Sequence, residues 1–213
     1  MRVKICGVTR AEDAQLAVEL GAWAIGFVFW PGSPRCIDPE TARAIASGVP
    51  PEVARVGVFV DQSVEDVMKV ATAAGLTHVQ LHGRERAEVA RRIGRPVIRG
   101  LALEEARRPD TLAEWQDALL LVDGRDARSP AQGGRVVDWT AAADLAAARP
   151  IVLAGGLRPD NVAAAIRAVR PHAVDVSSGI ERAPGVKDPE SMRAFFAAAF
   201  EAGAEKTPAG ERR

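Results

Sequence analysis

The chain is expected to fold as a single, small (β/α)8 TIM barrel, and three features carry that expectation. Short runs rich in Val, Ile and Leu alternate eight times with longer Ala-rich segments of helical period. The short runs are apolar on both faces, as in a parallel sheet that crossover helices cover on each side. No Gly-x-Gly-x-x-Gly turn and no Walker-type loop marks the alternative, an open doubly wound sheet. At 213 residues the chain lies near the lower limit for a barrel, ~200 residues, so the loops must be short.

Val3-Lys4-Ile5-Cys6 reads as the opening strand and leads to a helix over 11–19. A second strand over 24–29 precedes a helix over 39–47, and a third over 55–60 precedes one over 64–74. The fourth pair is a strand over 78–81 with a helix over 85–93. A fifth strand spans 97–101, but Arg107-Arg108-Pro109-Asp110 interrupts the segment after it and leaves only 111–115 as helix. The remaining pairs are 119–122 with 139–147, 151–154 with 159–169, and 173–176 with 189–202. The barrel is thus expected over 1–203, with a small, polar, frayed tail over 204–213.

Composition narrows the function. Apolar residues make up 47% of the chain, enough for one sizeable core, and the 28 basic and 28 acidic residues balance. That balance gives no footprint for nucleic acid or a membrane surface. Nearly all the cations are arginine; the lysines are Lys4, Lys69, Lys187 and Lys206, and no function is read from that bias. Cys6 and Cys36 form neither a disulfide framework nor a zinc spacing, which fits a reducing cytoplasm. No apolar run approaches the ~18 residues of a membrane span, and no leader pattern opens the chain.

In such a barrel the chemistry gathers at the carboxyl ends of the strands. Cys6 ends the first strand just before a helix, whose unpartnered amides would pull its pKa down and make it a base; a small buried apolar cysteine is the plainer reading. Asp123 closes the run Leu119-Leu120-Leu121-Val122, where apolar walls would favour its protonated, acidic form, although turns and caps also use aspartate. Arg35 offers a planar fork for a carboxylate or phosphate, or simply faces solvent. His82 follows the fourth strand, where it either orients a hydroxyl or is a satisfied strand-end histidine. Asp175, among Ala173, Val174 and Val176, is expected to point into the site or bond a neighbouring loop. Gly155-Gly156 and Ser177-Ser178-Gly179 follow the last two strands, the usual phosphate seat of a barrel.

Several ordered segments together resemble the phosphoribosylanthranilate isomerases of tryptophan synthesis, nearly end to end. They are Val3-Lys4-Ile5-Cys6-Gly7-Val8-Thr9, Gly26-Phe27-Val28-Phe29 with Ser33-Pro34-Arg35, Val56-Gly57-Val58-Phe59-Val60 and Val79-Gln80-Leu81-His82-Gly83. The series continues with Leu120-Leu121-Val122-Asp123, Ala154-Gly155-Gly156-Leu157, Val174-Asp175-Val176-Ser177-Ser178-Gly179-Ile180-Glu181 and Pro184-Gly185-Val186-Lys187-Asp188. The resemblance implies Cys6 as general base, Asp123 as general acid, Arg35 facing the anthranilate carboxylate, and phosphate on Gly155, Gly156, Ser178 and Gly179. It implies an Amadori rearrangement of a small phosphosugar that needs neither metal nor redox cofactor, and no obligate protein partner is evident.

One loop departs from the family, Gln132-Gly133-Gly134-Arg135-Val136-Val137-Asp138-Trp139, which lacks a second glycine pair and a phenylalanine; this bears on substrate closure. Two other readings stand beside this one. A histidine-pathway isomerase would favour Asp in place of Cys6, and a metal-assisted epimerase would want more histidines at strand ends than His78, His82 and His172 supply. A barrel that only binds phosphate would have no need of Cys6 or Asp123.

Overall fold

Eight parallel strands close on themselves in the order β1-β2-β3-β4-β5-β6-β7-β8 in the computed structural model, which describes residues 1–124 and 137–205. The strands are β1 (Arg2–Ile5), β2 (Ala24–Val28), β3 (Ala54–Phe59), β4 (His78–Leu81), β5 (Val97–Ala102), β6 (Leu119–Asp123), β7 (Ile151–Leu153) and β8 (Ala173–Val176). Outside them run α1 (Ala11–Glu19), α2 (Pro39–Ala46), α3 (Val64–Ala73), α4 (Ala87–Ile93), α5 (Leu103–Ala106), α6 (Pro109–Glu114), α7 (Trp139–Ala148), α8 (Val162–Val169) and α9 (Pro189–Ala204). The expected barrel is therefore present, with strand and helix bounds shifted mostly by a residue or two.

Two hydrophobic layers hold it. The larger lies between sheet and helices and includes Ile5, Phe27, Phe59, Leu81, Leu120, Leu153 and Phe195. The smaller fills the barrel interior with Ala24, Val56, Ile98, Leu121, Val152 and Ala173. Strand side chains alternate between these layers. Ala173 and Leu121 face inward, so Asp175 and Asp123, two residues further along their strands, face inward too, nearer the carboxyl ends. The β1–β8 ladder that closes the barrel sets Lys4 opposite Asp175.

Three departures from expectation have local causes. The interrupted fifth helix is two short ones: Arg107 caps α5, and Pro109, whose missing N–H costs nothing in a first turn, starts α6. Helix α8 begins at Val162 rather than at 159, because the Asn161 side chain accepts from Arg158 N at 2.8 Å and donates to Gly156 O at 2.9 Å, folding this stretch into a turn. After β8 comes an unanticipated 3-10 turn over Ser178–Ile180 and a hairpin of β9 (Glu181–Ala183) and β10 (Val186–Lys187), reversed at Gly185 with φ +79°.

At the carboxyl end, α9 runs to Ala204, and Glu205 pairs with Arg167 at 2.7 Å, so the tail expected from 204 begins in ordered structure. Its remainder, 206–213, and residues 125–136, which take in positions 132–136 of the atypical loop, lie outside the described residues. Among the described residues no helix is long and apolar enough to cross a membrane.

Candidate active site

Cys6 follows β1 directly, its N–H donating to Val176 O at 2.8 Å and its carbonyl accepting from Lys187 Nζ at 2.6 Å. It packs with Val28, Val58 and Trp30 at the barrel mouth and is 9% exposed. The expectation of a thiol acidified by the next helix is corrected here. Helix α1 starts only at Ala11, beyond Gly7 to Arg10, and burial pushes the thiol up, against the pull of Lys4 and Lys187, while Asp175 adds to the rise.

Lys4 lies two residues before Cys6 on the same inward face and is fully buried, with Nζ donating to Asp175 Oδ1 at 2.8 Å. Burial pulls its pKa down, but Asp175 and Cys6 more than offset this, and the ammonium stays charged. Asp175 thus points into the barrel, as expected, and is bound to this lysine. Space for the cluster comes from Gly26, where a methyl carbon would lie 3.1 Å from Cys6 Sγ and 3.4 Å from Lys4 Cε.

Asp123 ends β6 on the other side of the mouth, buried at 7% exposure. His82 faces it, with Nε2 at 3.8 Å from Asp123 Oδ2. Burial pushes the imidazole down, against the pull of Asp123, so the ring is neutral, and Gln80 Nε2 lies 2.9 Å from its Nδ1. Gly100 makes room for this ring, since a Cβ there would come within 2.5 Å of His82 Nδ1.

Arg35 is not the open fork that the sequence implied. Its Nε donates to Glu181 Oε1 at 2.8 Å and its Nη2 to Glu181 Oε2 at 2.6 Å, which commits one edge of the guanidinium and leaves Nη1 outside the pair. Lys187, fully buried, holds the other side of Glu181 at 2.8 Å and also donates to Ser177 O at 3.2 Å. Burial pushes Glu181 up, but Arg35 and Lys187 bring it net below the usual carboxylate range, so it remains ionised between two cations. The hairpin is thereby clamped over the loops after β1 and β2.

The glycine loops are adjacent. Gly155 and Gly156 have φ +85° and +66° after β7, and a Cβ at Gly179 would overlap Leu157 O, so the turn carrying Ser178 and Gly179 presses on the β7 loop. A Cβ on Gly155 would also lie 2.8 Å from Asp123 Oδ1, which puts the β7 loop beside this carboxyl group. A cavity of about 360 Å³ opens on the other flank of His82, walled by Arg99, Glu85 and Trp115.

Sequence reasoning passed over Lys4, Glu181 and Lys187. Lys4 carried a usable signal, a lysine inside an apolar strand at the same parity as Cys6. Glu181 and Lys187 gave none, because their role depends on a hairpin folded back onto distant loops.

A buried thiol, a buried carboxyl group and paired glycine loops share the carboxyl rim of a (β/α)8 barrel, the end at which enzymes of this fold carry out their chemistry. The family described as N-(5'-phosphoribosyl)anthranilate (PRA) isomerase matches residues 3–198, and the chain belongs to that family, isomerases of tryptophan biosynthesis. A relative from Desulforudis audaxviator, an N-(5'-phosphoribosyl)anthranilate isomerase, is 47% identical over 202 residues, covering 94% of this chain and 98% of its own. The crystal structure of phosphoribosyl anthranilate isomerase from Thermotoga maritima superposes with a TM-score of 0.87 at 43% identity, over 94% of this chain and 99% of that one. Another, in complex with reduced 1-(o-carboxyphenylamino)-1-deoxyribulose 5-phosphate, superposes with a TM-score of 0.83 at 42% identity and the same coverage.

Proposed function

We propose that this isomerase carries out the Amadori rearrangement of N-(5-phosphoribosyl)anthranilate with Cys6 as general base and Asp123 as general acid, on a small phosphosugar in the cytoplasm. Asp123 gives its proton to the furanose ring oxygen; the C1–O bond breaks and the anthranilate nitrogen lone pair forms the protonated imine. Cys6, as thiolate, takes the proton from C2, and the released electron pair makes the C1–C2 double bond and neutralises the imine. Ketonisation adds a proton at C1 and releases the one on the C2 hydroxyl, giving the 1-deoxyribulose 5-phosphate. Each proton transfer by a positioned group supplies about 10² to 10⁴ in rate.

The observation that supports this reading best is the pairing across one mouth of a thiol beside the Lys4 ammonium with a carboxyl group beside a neutral imidazole. The remaining roles fit the same geometry. Arg35 offers Nη1 to the anthranilate carboxylate while Glu181 fixes its plane, and His82 and Asp175 border the sugar. Gly155, Gly156, Ser178 and Gly179 take the phosphate on backbone amides, where a side chain would block approach.

Freshly made phosphoribosylanthranilate loses its fluorescence on rearrangement, so an assay on the purified chain, with the histidine-pathway aminoaldose tested in parallel, checks the proposal. Turnover of the first is expected. Turnover of the aminoaldose alone, or of neither, would overturn it.

A further inference from the structure

Cys6 is a buried thiol in a setting that disfavours ionisation, yet proton abstraction needs its anion. The charged groups around it are Lys4 on β1, Asp175 on β8, Lys187 on β10, Glu181 on β9 and Arg35 after β2, with neutral His82 on β4 and the acid Asp123 on β6 across the mouth. Three cations, Lys4, Lys187 and Arg35, thus surround the sulfur, with Asp175 and Glu181 as their carboxylate partners. The cations are not equivalent. Lys187 spends its donors on Cys6 O, Ser177 O and Glu181 Oε1, and Arg35 pairs bidentately with Glu181. Lys4 gives one donor to Asp175 at 2.8 Å and shares the inward face of β1 with Cys6, where Gly26 backs both its Cε and the sulfur.

We propose that Lys4 is the positioning residue for Cys6: its ammonium, anchored on Asp175 beneath the site, is the fixed counter-ion of the thiolate. Lys4 does not itself exchange protons with substrate. It stays an ammonium throughout, bridging the carboxylate to the sulfur while the sulfur passes between anion and thiol. Asp175 acts in the opposite sense, because it competes for the same cation. The inference rests on Cys6 as the base.

The test titrates the Cys6 thiol by its ultraviolet thiolate absorbance and by the rate of iodoacetamide alkylation, in a Cys36→Ser background that removes the exposed second thiol. The chain has 0 tyrosines, so no tyrosinate band interferes. Lys4→Met is expected to move the midpoint up by at least about one pH unit, lowering alkylation ~10-fold at a fixed pH below both midpoints. Asp175→Asn is expected to move it down. Because Lys4→Met leaves Asp175 buried without its cation, Lys4→Met/Asp175→Asn supplies a variant lacking both charges, and its midpoint is expected to stay above that of the parent.

In turnover, Lys4→Met should lower kcat with little change in KM, since the ammonium lies beneath the substrate. An unmoved midpoint in either folded lysine variant overturns the role of Lys4, even with Cys6→Ser inactive. Full turnover by Cys6→Ser instead overturns the base assignment, and with it any catalytic role for Lys4, whatever the titration shows.

Discussion

Gly100 and Arg35 show how single residues shape this site. At Gly100 a Cβ would fall 2.5 Å from the His82 ring, so Gly100→Ala should displace the imidazole from Asp123 and destabilise the barrel by about 1–3 kcal/mol, the usual range for overpacking. Thermal melts together with kcat measure both effects; unchanged turnover would mean that His82 has no part in the reaction. Arg35→Ala should chiefly raise KM, because it removes ground-state contact with the substrate carboxylate and leaves the proton-transfer pair in place. Steady-state kinetics separate the two parameters.

Cys6 and Asp123 were legible in the sequence because each ends an apolar run, and a barrel brings strand ends to one rim. The acidity of Cys6 was misjudged, since it depends on how deeply the sulfur is buried and on which cations share that depth. The true state of Arg35 was hidden as well, because its partner Glu181 is 146 positions away in the chain.

The hairpin β9–β10 is the element that the sequence did not announce, two strands too short to carry a periodic signal. It acts through Glu181, caught between Arg35 and Lys187. Glu181→Gln removes the anion from a buried cluster and leaves Lys187 without its partner, so a stability loss of about 3 kcal/mol is expected, read by denaturant titration. A rise in KM should accompany it as Arg35 loses its fixed plane.

The folded Glu181 binds its proton less tightly than the unfolded chain does, so ionisation favours the native state. The stability that this confers is in place above the unfolded glutamate value, ~4.3, and is lost as pH falls through the lower folded value. The difference in melting temperature between the parent chain and Glu181→Gln should therefore shrink on acidification through that window. The divided helix α5/α6, by contrast, had a visible sign in Pro109, which starts a helix as readily as it interrupts one.

Across the molecule, eight alternations of strand and helix made the barrel legible before any tertiary contact was known, because period and length alone exclude most other architectures. The inward charges are another matter. Two of the four lysines, Lys4 and Lys187, are fully buried; the apolar strand around Lys4 hinted at this, while nothing beside Lys187 did. The Lys4–Asp175 pair sits on the seam where β1 meets β8, so the closing ladder also carries the electrostatics of the site. Breaking this pair from one side should cost about 3–5 kcal/mol, while removing both charges together should restore part of that loss. Equilibrium unfolding of Lys4→Met, Asp175→Asn and the double variant tests the coupling.

The reaction assigned to the mouth depends above all on the sulfur of Cys6. The deciding experiment is kcat for Cys6→Ser on freshly made phosphoribosylanthranilate, with circular dichroism confirming the native fold. A fall of at least about 10² is expected, because an alcohol at this position ionises far less readily than a thiol. Turnover near that of the parent chain would contradict proton abstraction by Cys6.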